Sequence, residues 1–289
     1  MKNFSFRRLA LLLRRDLLGD YKRNLTTLLT FYILNLLFIS FTYYTPSRYG
    51  VGDTGLPFTV MEQGLAIRCV AMATGLLFVG FFGMAGSTFS DLSTKQKRTA
   101  VLTLPATNAE RYWSRLLQTL VLFPLALVAT FVLADLTRML VFPVFGHSFC
   151  SATPLFFSTL GEGFKEMGLL LVNASHPSAY QLNCAGGGTW GFFLLTGMLV
   201  LLHSYYLLGA AVFRRRAPIY ATLILLAVCI LLGVTVSHSS GQGVQVTVSG
   251  KLLFVKTYIV LQWLIAIAFY ILSYQLYKRI PVISRKILR

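Results

Sequence analysis

A chain of 289 residues, of which 56% are hydrophobic and only 12% charged, has too little polar surface to cover a water-soluble core of its size. Its mean hydropathy of +0.69 points the same way, and the expected class is an all-α integral membrane protein, since a backbone inside hydrocarbon must meet its hydrogen bonds within the helix. The net charge of +17 would suit nucleic acid only if it were gathered on one surface, and its distribution along the chain argues against that partner.

Six apolar runs lie near 25–45, 65–87, 112–134, 190–213, 217–236 and 257–276. Each has about the 20 residues that a hydrocarbon layer of roughly 30 Å requires. Sorted by this map, seven Lys and Arg precede the first run, five fall in 88–115, three are Arg214–Arg216 and five follow Tyr277, so 20 lie on one side and six on the other. Acidic residues barely discriminate, four against five. A basic excess on alternate loops is the positive-inside pattern, which sets both termini in the cytoplasm. The expected layout is therefore six transmembrane helices, N-in and C-in, in one domain covering 1–289, with the lipid bilayer as solvent and no nucleic acid bound. The basic N-terminus leads into a full-length span without a short apolar region and small-residue cleavage site, so the first span is expected to be retained.

Residues 4–22 read as an interfacial helix. Phe6, Leu9, Ala10, Leu13, Leu17 and Tyr21 recur at helical spacing, with Arg7, Arg8, Arg14, Arg15 and Lys22 elsewhere on the wheel. Such a helix lies along the inner head groups. Asn35, inside the first span, suits a tie between helices better than a cargo contact. The loop 45–64 is rich in Gly and Pro and reads as an irregular outer connection. In the second span Gly80, Gly83 and Gly86 would admit a close helix, either from the same bundle or from a second copy.

Residues 88–115 are the one strongly polar interruption, with Lys95, Lys97, Arg98, Arg111 and Arg115. Pro105 blocks a helix from running through. Thr107-Asn108-Ala109-Glu110 has capping-box spacing, in which hydroxyl and carboxylate satisfy free backbone N–H groups at a helix start. The stretch encodes a break, a cap and a new helix that enters the bilayer at Tyr112 and Trp113. Pro124 should kink the third span. Asp135 and Arg138, near its outer end, are spaced to pair, and as an exposed pair would contribute under about 1 kcal/mol.

The outer segment, 139–189, contains a run at 153–172 whose aromatic residues recur at helical spacing, expected to lie on the outer surface. Cys150 and Cys184 both fall in this segment and are expected either to form a disulfide in an oxidising compartment or to remain as two free thiols. The histidine within a span, His203, reads either as a functional group or as an imidazole bonded to a neighbouring helix. The alternation over 244–249 suggests a short strand. Tyr274, Tyr277, Lys278 and Arg279 close the last span at the inner interface.

An apolar span ending in Phe89-Ser90-Asp91-Leu92, a basic linker, then Leu104-Pro105-Ala106-Thr107 with Glu110 and Arg111 opening the next span resembles the permease subunits of type-2 ABC transporters, bacterial exporters in particular. The motif covers about 25 residues, and the six-span layout extends the likeness along the chain. The resemblance implies a coupling segment between spans two and three that rests on a separate ABC ATP-binding subunit, involving Asp91, Lys95, Lys97, Arg98, Leu104, Pro105, Thr107, Glu110 and Arg111. It further implies a second permease copy, as homodimer or related heterodimer, and a bacterial cytoplasmic (inner) membrane. ATP and magnesium would belong to the partner subunit, with no cofactor in this chain.

The chain has no G-x-x-x-x-G-K-[ST] phosphate loop and no H-E-x-x-H, and its four histidines lie in separate segments. No carboxylate falls in the middle of a predicted span, which disfavours ion-coupled transport. No clustered nucleophile, base or metal site suggests an enzyme. Two expectations follow: a transport subunit driven by a separate ATPase, or a non-transporting membrane scaffold or assembly protein whose basic segments bind partners.

Overall fold

A computed structural model describes residues 4–19, 21–48, 58–92, 99, 106–141, 151–158, 187–213, 216–239 and 248–279. Among these residues the elements are helical and none is a strand. In chain order they are α1 (Phe6–Gly19), α2 (Tyr21–Arg48), α3 (Phe58–Ser87), α4 (Asn108–Leu117), α5 (Phe123–Val141), α6 (Gly187–Phe213), α7 (Ala217–Ser239) and α8 (Val248–Lys278), with a 3₁₀ turn at Ser90–Leu92 and a short helical turn over 153–158.

Among the described residues, five stretches are long and apolar enough to cross a membrane: Tyr21–Tyr44, Ile67–Ser87, Asn108–Val141, Phe192–Phe213 and Lys256–Lys278. They identify a multi-pass membrane protein by length and composition. The helix over the remaining apolar run, α7, shows a shorter apolar stretch, Ala217–Leu231. Large apolar side chains such as Leu29, Leu37, Val79, Leu125, Leu140, Leu231 and Leu264 are exposed on these helices, as a hydrocarbon solvent permits. Hydroxyls on the exposed surface of α2 are satisfied locally. Thr26, Thr27, Thr30 and Thr42 each donate to the carbonyl four residues earlier, at 2.7 to 2.9 Å, so these four hydroxyls need no water.

The third span runs from α4 into α5 through a π turn, Gln118–Leu122. Pro124 lies two residues beyond it and has no N–H to give. The turn answers this by a wider bond, with the Phe123 N–H donating to the Gln118 carbonyl five residues back. A π turn of this kind is a recognised way to absorb an interrupted ladder.

The chain divides into two compact units, one made of Met1–Ser5, Phe82–Trp113 and Gly163–Arg289, the other of Phe6–Phe81 and Ser114–Glu162. In the second, Ile39 and Tyr43 of α2, Leu65, Cys69, Val70 and Ala73 of α3, and Phe131 and Ala134 of α5 form a core closed by Ala152 and Phe156 from the short turn. In the first, α6 and α8 pack closely. Gly197 lets them approach, since a methyl group there would stand 2.8 Å from the Trp263 indole nitrogen. Helices α6 and α7 form a tight hairpin through Arg216, whose φ of 53° is in the left-handed region and whose carbonyl accepts from the amides of Ile219 and Tyr220.

Five sequence expectations change, the first two being that the irregular connection read over 45–64 is helical at 45–48 and 58–64 and that Phe156, in the run expected on the outer surface, is buried. The first helix spans Phe6–Gly19 and buries Leu9 and Leu12, whereas Phe6 and Tyr21, expected on its apolar face, are exposed. The reason is Asp16, which accepts from Ser114 Oγ at 3.1 Å and so fixes a neighbouring stripe against the bundle. Val248 and Ser249, read as the end of a strand, open α8, while 244–247 lie outside the described residues. Asp135 and Arg138 are not an exposed pair: their side chains are 0% and 1% exposed.

Candidate functional site

The head of α4 is built as the sequence spacing requires. Thr107 precedes the helix, and its carbonyl takes the first helical bond, from Arg111 N–H at 3.2 Å. Its hydroxyl accepts from Glu110 N–H at 3.2 Å, and its own N–H donates to Glu110 Oε2 at 2.8 Å. This reciprocal pair is a closed capping box. The other carboxylate oxygen, Oε1, accepts from the backbone N–H of Ser5 at 2.8 Å. Glu110 therefore ties the segment leading into α1 to the start of α4, and it is fully buried. A carboxylate near the first turn also suits the positive end of the helix dipole. Arg111 and Arg115 are also buried, and Arg111 reaches Asn108 Oδ1 at 3.5 Å.

Beneath this head lies an aromatic and hydroxyl cluster for which the sequence pattern gave no signal beyond apolar spacing. Phe89 and Leu92, at the 3₁₀ turn, are almost wholly buried. Phe89 stacks on Tyr112 with ring centroids 6.3 Å apart and lies 5.4 Å from the Tyr277 ring. The Tyr112 and Ser273 hydroxyls are 2.6 Å apart, Ser273 donates to the Tyr270 carbonyl, and the Tyr270 hydroxyl meets His203 Nδ1 at 2.9 Å. His203 is thus bonded to a neighbouring helix, a polar tie joining α6 and α8, with Tyr112 of α4 bonded to α8 alongside.

Of the residues singled out from sequence, Thr107, Glu110 and Arg111 come together at this head. Asp91 lies in the turn Ser90–Leu92. Lys95, Lys97, Arg98, Leu104 and Pro105 lie outside the described residues, as do Cys150 and Cys184. On α1, Arg7, Arg14 and Arg15 are exposed and Arg8 is half-buried; Lys22, in the first turn of α2, is exposed. The three glycines of α3 behave differently from one another. A methyl at Gly80 would stand 2.7 Å from Leu127 Cδ1, one at Gly86 would stand 2.9 Å from Pro218 Cγ, and one at Gly83 would meet nothing within 4 Å. Among the described residues no group of three or more His, Cys, Asp or Glu could hold a metal ion, and Cys69 and Cys229 are unpaired thiols.

Compared with family models, with curated proteins and with solved structures, the chain matches none. The functional reading therefore rests on the residues and their geometry. That geometry is a sealed helix head bonded backward to the N-terminal segment, and the basic linker before it is read from the sequence.

Proposed function

We propose that this chain is the membrane-spanning permease subunit of an ABC-type transporter, an exporter of the type-2 kind, driven by a separate ATP-binding subunit. It has six spans with both termini inside, α7 being the fifth, and works beside a second permease copy in a bacterial cytoplasmic membrane. The N-terminal helix lies along the inner interface, and 88–110 is the coupling segment.

One observation carries the reading: Glu110 closes the cap of α4 and holds the Ser5 amide at the same time. A scaffold that only displays basic residues has no need for such a joint. A load-transmitting element does, because a force delivered to the linker must reach the membrane helix without fraying its first turn. From that turn the helix runs on to Val141. Nucleotide binding in the partner would then bias two arrangements of the bundle through this head.

Reversing charge at Lys97 and Arg98 tests the reading without touching the buried joint. The double change to Glu is expected to lower transport-stimulated ATP turnover of the assembled complex about tenfold, within the range of ordinary coupling free energies. The amount of protein in the membrane should stay the same. Unchanged turnover would count against the coupling role.

A further inference from the structure

A heavily hydrogen-bonded carboxylate of the second unit is Asp135, near the end of α5 that the basic-residue pattern assigns to the outside. Its Oδ1 takes Arg138 Nη2 at 3.2 Å and Nε at 3.4 Å. Its Oδ2 accepts from Ser151 Oγ at 2.7 Å, Ala152 N–H at 3.0 Å, Thr153 N–H at 3.0 Å and Thr153 Oγ1 at 2.7 Å. The Arg138 guanidinium lies over the Tyr43 ring of α2, 3.9 Å from its centre, a favourable placement for a desolvated cation. Both charged groups are removed from solvent, so each depends on the other and on the donors around it.

The same turn carries an apolar anchor. Phe156 is 1% exposed, its ring centroid 4.8 Å from that of Phe131, and Ala152 beside it is fully buried in the core shared by α2, α3 and α5. Polar and apolar fastenings thus fall within six residues of chain. An open gate would have water in place of one or the other.

We propose that Asp135 clamps residues 151–158 permanently across the end of the α2, α3 and α5 group, so that this end is a fixed closure and cargo does not leave through it. Residues 151–158 are then a static plug, and any outward opening occurs elsewhere. The plug itself stands on the bonds given above. The statements about cargo and direction rest on the permease reading.

Hydrogen exchange on the full chain in lipid nanodiscs, without any partner, tests the clamp. The peptide covering 151–158 is expected to exchange as slowly as the middle of α5. Asp135→Ala should speed its exchange by more than about 100-fold, the scale expected when a buried pair loses one member, and leave 123–133 protected. Because that variant strands Arg138 and can undo the whole fold, Ser151→Ala combined with Thr153→Val is the second arm. It removes two donors and no charge, and should speed exchange of 151–158 about tenfold. Rapid exchange of 151–158 in the unmodified chain, or no acceleration in the second arm, would overturn the clamp. A third arm adds the ATPase partner and ATP: unchanged protection is expected, and a nucleotide-dependent loss would overturn the static closure. The first two arms need no partner, so failure of the permease reading and failure of the clamp are separable.

Discussion

Glu110 and Asp135 are both buried carboxylates that hold backbone amides, but they reach across different lengths of chain. Glu110 serves Thr107, three residues back, and Ser5, 105 residues back. Asp135 serves Ser151, Ala152 and Thr153, 16 to 18 residues ahead, and shares its other oxygen with Arg138. Glu110 caps the start of α4, and Asp135 ties a later segment to α5. On the proposals made above, the first serves transmission and the second serves closure. Burial of an acid in a membrane protein does not by itself mark a proton path.

The comparison breaks most visibly at Asp135. Replacing it with Ala leaves Arg138 buried without its carboxylate, and a loss of about 3–5 kcal/mol is expected. In a detergent melt this is the largest drop of any single substitution considered, and a change below about 1 kcal/mol would return the pair to the weak surface class.

Glu110→Ala strands the Thr107 and Ser5 amides, and about 2 kcal/mol should be lost. Glu110→Gln keeps one oxygen acceptor and should recover part of it. Equal losses for Ala and Gln would mean that the charge near the helix start matters more than the two bonds.

The smallest effect belongs to Thr107→Ala, which removes a single cap bond and should cost about 1 kcal/mol. Exchange at the Glu110 amide should rise while Ser5 stays protected, which separates the local half of the joint from the distant half.

How much of this could be read from sequence follows the same division. Thr107 and Glu110 stand three apart, so local spacing announced their bonds before any tertiary contact was known. Ser5 could not be foreseen, because nothing local links an N-terminal amide to a residue beyond the second span. Asp135 and Arg138 were recognisable as a pair by their spacing, yet their burial depends on Tyr43, Ser151 and Phe156, whose approach is set by the fold. The glycines show the limit again. Their spacing in α3 suggested one packing face, but each step of three residues drifts by about 60° on a helix, so Gly80 and Gly86 stand about 120° apart, and Gly80 meets Leu127 while Gly86 meets Pro218. Of the six apolar runs read from sequence, five match stretches long and apolar enough to cross a membrane and the run in α7 shows a shorter one, because length and hydropathy are properties of the segment alone.

The central claim is that the linker before α4 is a cytoplasmic docking element for a nucleotide-driven motor. Its most direct test is a photo-cross-linking residue at Gln96, in the basic linker, with Phe157 as the control position on the short turn. Irradiated in cells, the Gln96 position should join a polypeptide that carries a phosphate loop and hydrolyses ATP, and the Phe157 position should not. Labelling of position 96 by a membrane-impermeant reagent from outside, or transport by a purified form with no ATPase attached, would contradict it.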